Sequence, residues 1–104
     1  MSSMNVTKAI IPVAGWGARR LPITKAIEKC MLPIGNRPLV DYVVQDCLAA
    51  GVTELIFIVS EHSTQLEAYY RSNIHLNDYL KRNNKGDMLS LVAPVEARLH
   101  FVTQ

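Results

Sequence analysis

The sequence contains only two cysteines, Cys30 and Cys47, with no Cys-x-x-Cys pair and no histidine at a spacing that would complete a zinc site. Zinc chemistry is not indicated, and both thiols are expected to be free. Cys47 falls on the apolar side of an expected helix and reads as a small buried hydrophobe. No apolar run approaches the ~18 residues needed to cross a bilayer, and no apolar stretch follows a basic one at the amino end. Neither a membrane partner nor a leader is expected, and the cytoplasm is the expected location. Charge of one sign never accumulates. The formal net charge of +2 is spread in pairs such as Arg19-Arg20 and Lys81-Arg82, without the like-charge block that marks a nucleic-acid partner. Internal repeats, low-complexity tracts and linkers are also missing.

Within 104 residues, 49% are hydrophobic and 19% charged, the make-up of one small globular domain with a core. A chain of this size buries only about 60 to 70% of its unfolded surface. Homo-oligomer formation, or further chain beyond this sequence, is therefore expected to cover what remains. Arg19, Arg20, Lys25, Lys29 and Arg37 form a local basic cluster. Its scale suits a small anion rather than a polyanion, though a solvated basic face gives the same pattern.

The run from Thr7 to Ala14 is nearly continuous apolar and then breaks at Gly15 and Gly17, as a strand buried on both faces does before a turn. Pro12 within it is awkward, because proline removes a ladder hydrogen bond. A helix is expected from Asn36-Arg37-Pro38, with Asn36 as cap, to about Ala50, where Gly51 stops it. Val40, Val43, Val44, Cys47 and Leu48 would face inward, and Asp41, Gln45 and Asp46 outward. A second interior strand is predicted over 54–59, helices over 63–72 with a Ser63 cap and over 74–81 with Leu76, Tyr79 and Leu80 inward, and a loop over 83–87. A third strand follows over 98–103. Helical crossovers between these strands predict one parallel sheet in an α/β fold.

A glycine-bearing loop, Ala14-Gly15-Trp16-Gly17-Ala18-Arg19-Arg20, thus follows the first strand at the carboxyl end of a parallel sheet, where α/β proteins bind ligands. Glycines let backbone N–H groups approach phosphate oxygens, and arginines can clamp them. Two common phosphate motifs are excluded. Arg20 stands where a dinucleotide motif needs its third glycine, and no Gly-Lys-Ser/Thr follows as in a P-loop. Taken alone, the loop also fits a tight turn flanked by surface arginines.

From Gly15 to Pro38 the sequence reads G-W-G-A-R-R-L-P-I-T-K-A-I-E-K-C-M-L-P-I-G-N-R-P. This resembles the signature of sugar-1-phosphate nucleotidyltransferases, G-x-G-T-R-x-x-P-x-T-x-x-x-P-K-x-M-x-P-x-x-x-K-P. Leu21-Pro22, Thr24 to Ile27, Lys29 and Met31 to Pro33, with Tyr42 to Val44 and Ala49 to Gly51, are most similar to bacterial UTP:glucose-1-phosphate uridylyltransferases. The resemblance implies a three-layer Rossmann-like nucleotidyltransferase fold with a parallel sheet, here truncated, residues 1–104 being its nucleotide-binding front part. It also implies UTP and glucose-1-phosphate as substrates and UDP-glucose and pyrophosphate as products. Backbone from Ala14 through Gly15, Trp16, Gly17 and Ala18 would wrap the nucleotide phosphates. Arg19 and Lys29 would be the catalytic cations, and Gln104, at the end of the last strand, would read the uracil edge. The loop over 14–20 should be open to solvent and able to hold an anion, with Trp16 partly exposed and Arg19 and Lys29 converging on it from opposite sides.

Three positions depart from the signature and a fourth from the uridylyltransferases. Ala18 replaces threonine, Glu28 the proline before the lysine, Cys30 a glutamate typical of the uridylyltransferases, and Arg37 a lysine. Glu28 brings negative charge beside a phosphate site unless it points away. The departures leave open a non-catalytic regulatory paralogue, and dTTP or CTP in place of UTP. The family's Mg2+ ligands and most sugar-binding residues are expected beyond residue 104, so the 104 residues alone are expected to be inactive.

Overall fold

A computed structural model describes residues 6–104. Three strands, β1 (Lys8–Pro12), β4 (Glu54–Val59) and β5 (Arg98–Thr103), form one parallel sheet in the order β1-β4-β5, with Ile11 beside Phe57 and Phe57 beside Phe101. β4 and β5 span the residues that their apolar runs predict. A two-residue ladder pairs β2 (Pro33–Ile34) antiparallel with β3 (Arg37–Pro38). Three helices complete the chain: α1 (Leu39–Ala49), α2 (Gln65–Tyr70) and α3 (Ile74–Arg82). α1 crosses between β1 and β4, and α2 and α3 between β4 and β5. Read from β5, the strand order is that of one half of a doubly wound sheet, in which order reverses beside the first strand and ligands bind at the reversal.

Contrary to the sequence reading, among the described residues β1 lies at the edge of the sheet and is exposed on one face, which accommodates Pro12. The Val13 N–H donates to the Ile58 carbonyl at 2.8 Å. Because successive residues alternate sides, the Pro12 nitrogen turns to the open edge, where no ladder bond is lost. Alternation also divides the sheet's two faces. Leu55, Phe57 and Val59, with Ile11, pack against Val40 and Val44 of α1 and Leu66 and Tyr70 of α2, and Ala9, Val13, Leu99 and Phe101 extend this core. The opposite face carries Ile10, Ile56, Ile58 and Val102, none of which joins the core, and Ile10 is 67% exposed. Among the described residues, two of the three expected layers are present.

Several local expectations are corrected. Gly35 (φ +67°) and Asn36 make the turn between β2 and β3, so Asn36 does not cap α1; Pro38, extended at φ −67°, precedes the helix without a side-chain cap. Gly51 does stop α1, at φ +95°, with the Val52 N–H returning to the Cys47 carbonyl at 3.0 Å. Asp41 is buried at 5% exposure, not solvent-facing, whereas Val43 is exposed. The Tyr70 hydroxyl donates to Asp41 Oδ1 at 2.7 Å, and Arg37 Nε lies 3.3 Å from Oδ2. These partners compensate a charge that could not otherwise leave water. Burial and the bond to Asp41 push the Tyr70 phenol well above its ordinary range. On α3 only Leu80 is buried, with Leu76 and Tyr79 exposed and Asn73 capping through the Leu76 N–H. Residues Gly86–Val92, expected in part as loop, form a 3₁₀ segment.

Candidate functional site

The chain leaves β1 through Val13 and Ala14, both half-buried, and enters the glycine loop at the carboxyl end of the sheet. Gly17 sits at φ +63°, where L side chains are disfavoured. Space forbids a side chain too, since a Cβ there would lie 2.9 Å from Lys29 Cβ and 3.1 Å from Thr24 Cγ2. Lys29 therefore packs its stem directly on the loop while remaining exposed. The Gly17 carbonyl accepts from the buried Thr24 hydroxyl at 2.9 Å and from the Arg20 N–H at 2.9 Å. This second bond closes the 3₁₀ turn Ala18–Arg20, from which Arg19 extends exposed.

Trp16 is 69% exposed and its ring lies 5.3 Å from that of His62, tilted by 37°. Cavities flank the loop. One of about 330 Å³ is bounded by Ala14, Gly15, Gly17, Lys29 and Cys30 with apolar residues of β1 and α1, and one of about 200 Å³ lies between Trp16, Thr24, Lys25, Ser60, His62 and Gln65. The first reaches the size range of small-molecule sites. Gln104 is exposed, and its N–H donates to the Val59 carbonyl at 2.8 Å, which sets it at the same end of the sheet as Ala14. No hydrogen bond ties its side chain to the glycine loop among the described residues.

Glu28 borders the smaller of these cavities, and its carboxylate is hydrogen-bonded to the segment that starts α2. Its carboxylate accepts from the Ser63 hydroxyl at 2.6 Å and from the N–H groups of Thr64 and Gln65 at 3.0 and 2.6 Å. Ser63 thus serves Glu28 instead of capping α2, which runs only over Gln65–Tyr70. Cys30 and Cys47 are both free and half-buried against the core. Desolvation, reinforced by the Glu28 charge, raises the Cys30 thiol from 9.0 to about 11, so it stays protonated at neutral pH.

No group of three or more histidine, cysteine, aspartate or glutamate side chains able to hold a metal ion occurs among the described residues. The described residues therefore do not by themselves make a metal site. No described helix is long and apolar enough to cross a membrane. Sequence reasoning missed Thr24, Gln65 and His62 as neighbours of the loop. Thr24 alone carried a signal, since it stands in the signature that identified Lys29.

The Nucleotidyl transferase family matches residues 8–97, and the chain belongs to that family. Its relatives include the UTP--glucose-1-phosphate uridylyltransferase of Streptococcus pneumoniae, 39% identical over 95% of this chain and 33% of the relative. The enzyme of the same name from Escherichia coli is 40% identical over 91% of this chain and 32% of the relative. Among solved structures, a UTP-bound UGPase from Acinetobacter baumannii superposes with a TM-score of 0.86 at 30% identity, covering 95% of this chain and 36% of that one. A UDP-glucose pyrophosphorylase complexed with UDP-glucose gives 0.69 at 32% identity, over 95% and 35%. The fold is thus a truncated Rossmann-like nucleotidyltransferase fold with a parallel sheet, and the chain spans about a third of the length of the relatives it matches.

Proposed function

We propose that the full-length protein transfers a uridylyl group from UTP to glucose-1-phosphate, forming UDP-glucose and releasing pyrophosphate. The observation that carries this reading is the packing of Lys29 on Gly17, in a solvent-open glycine loop at the carboxyl end of a parallel sheet. The names of the relatives supply the substrate class. The backbone of Ala14 to Ala18 receives the nucleotide phosphates. Arg19 and Lys29 neutralise charge as it moves onto the departing pyrophosphate, while a phosphate oxygen of the sugar attacks the α-phosphorus in line. Such catalysis is chiefly positioning and electrostatics, so no side-chain nucleophile is needed. The Gln104 amide, with one donor and one acceptor group, is complementary to the imide edge of uracil. A requirement for Mg2+, held by residues outside those described, and a homo-oligomeric state belong to the same proposal.

The hydrogen bonds that Glu28 accepts from Ser63, Thr64 and Gln65 are consistent with a working site, because they offset a negative charge that borders it. The test is pyrophosphate release by full-length protein given glucose-1-phosphate and, in turn, UTP, dTTP, CTP and ATP. Preference for UTP is the expected result. Nucleotide binding without release would make the protein a non-catalytic paralogue, and preference for dTTP or CTP would reassign the base.

A further inference from the structure

We propose that Glu28 is a positioning residue, which grips the first turn of α2 and thereby fixes the direction from which Lys29 meets the glycine loop. The inference rests on the phosphate-site reading of Lys29 given above.

Residues 28 and 64–65 are joined reciprocally. Ser63 Oγ donates to one carboxylate oxygen of Glu28 at 2.6 Å, and the N–H groups of Thr64 and Gln65 donate to the other at 3.0 and 2.6 Å. In return the Glu28 N–H donates to Gln65 Oε1 at 2.7 Å, while Gln65 Nε2 donates to the Ala26 carbonyl at 3.1 Å. This is the logic of a capping box, in which a side chain takes up the free N–H groups of a helix start and is answered by one reaching back, here between segments 37 residues apart. α2 has no cap of its own: Thr64 precedes it without a side-chain bond. Charge-assisted bonds of this length are the stronger kind, and each is at least part-buried or anchored on a backbone donor.

What the grip holds is the residue immediately before Lys29. Glu28 has φ −58° and ψ 138°, and the 3₁₀ turn Lys29–Met31 begins directly after it. That φ is the value a proline ring imposes, and proline is the residue that the signature carries at this position. A ring restricts φ covalently, whereas Glu28 restricts the backbone through hydrogen bonds to a neighbouring element. Lys29 Cβ and Cδ lie against Gly17 in a space too tight for a methyl group, so its approach tolerates little displacement. A misplacement of about 1 Å in such a group can cost about a hundredfold in rate.

The experiment compares wild-type full-length protein with Glu28→Ala, Glu28→Gln and Glu28→Pro in two assays. The first measures kcat and KM for UTP with glucose-1-phosphate, alongside thermal unfolding. Glu28→Ala is expected to lower kcat by at least about tenfold, with KM for UTP changed less than about threefold, because a misdirected lysine weakens the transition state more than the ground state. Glu28→Pro is expected to restore most of that loss, and Glu28→Gln to fall between. Equal losses in the alanine and proline variants, with both folded, would overturn the proposal, as would a loss that follows Tm and spares nothing in KM. Should the proline variant fail to fold, glutamine rescue decides in its place.

The second assay needs no turnover. Acetylation of Lys29 by an amine-reactive ester is followed by peptide mass spectrometry, with and without inorganic pyrophosphate. Wild type should be protected at least about threefold more than Glu28→Ala, the alanine change leaving the lysine present but misaligned. Equal protection in the two refutes a positioning role, whereas an unprotected wild-type lysine refutes the phosphate-site reading on which that role rests and overturns both. A wild type that is protected but inactive would instead refute the uridylyltransferase reading and leave the positioning role standing on the variants.

Discussion

The covered face of the sheet and the segment from Ala14 to Met31 are built by different forces, although they adjoin. The covered face is apolar and dry: Leu55, Phe57, Leu66 and Val44 are wholly buried, and Phe57 stacks on Tyr70 and Phe101 with ring centroids 5.7 and 5.3 Å away. In the loop segment only Thr24 is buried, and the segment's shape is held by polar ties: Thr24 to Gly17, Glu28 to α2, Gln65 to Ala26. Non-directional burial stabilises the domain, while directional bonds aim the groups that would meet a ligand. Substitutions should therefore separate into those that unfold the protein and those that disarm it.

The largest effect is expected at Phe57. Phe57→Ala removes a fully buried ring and its two stacking partners, at a cost of about 3 to 5 kcal/mol. Denaturant unfolding of the protein should register this, and a change below about 1 kcal/mol would mean that the core lies elsewhere. Next comes Arg19→Ala in the full-length protein, expected to cut turnover about 10²- to 10³-fold while weakening glucose-1-phosphate binding far less. Lys29→Ala should do likewise. Neither should shift Tm appreciably, because both side chains are exposed, and a loss of activity that tracked unfolding would erase the contrast between the two regions.

A third test lies at the seam between them. With its thiol raised to about 11, Cys30 holds roughly a hundredth of the thiolate of an ordinary cysteine near pH 8, so alkylation by iodoacetamide should be about a hundredfold slower. The same shift carries a sign for stability. The fold favours the neutral thiol, so its contribution is complete below about pH 9 and declines as pH rises toward 11. The buried Tyr70 phenol acts in the same direction. Rapid alkylation of native protein would show that the seam is open. The smallest effect is expected for Thr24→Val, which deletes one hydrogen bond to Gly17 while the Arg20 N–H still reaches that carbonyl. It should cost about 1 kcal/mol, read from thermal unfolding.

The apolar region was the more legible in the sequence. β4 announces itself as a continuous run rich in β-branched residues, β5 as the short stretch Leu99 to Val102, and the crossovers between the strands make the sheet parallel. What escaped was set by contacts distant in sequence. Asp41 looks solvent-facing on a helical wheel because nothing nearby reveals Tyr70, its partner 29 residues on. Val43 falls on the inward side by the same periodicity and lies exposed. Asn36 resembles a cap, yet the Gly35-Asn36 pair is also a tight-turn signal, and the ladder between Pro33–Ile34 and Arg37–Pro38 decides for the turn. For the site, glycine spacing located the loop, and the resemblance singled out Lys29. The orientation of Glu28 could not be read, since it depends on where α2 begins in space.

Trp16 is the only tryptophan of these 104 residues and stands 69% exposed on the glycine loop. The chain consequently carries its own optical reporter at the point of interest. Its emission should lie near that of tryptophan in water, be quenched readily by iodide, and change when a phosphate-bearing ligand settles on the neighbouring backbone. Occupancy of the loop can thus be followed by light alone, without a label and before any turnover assay is set up.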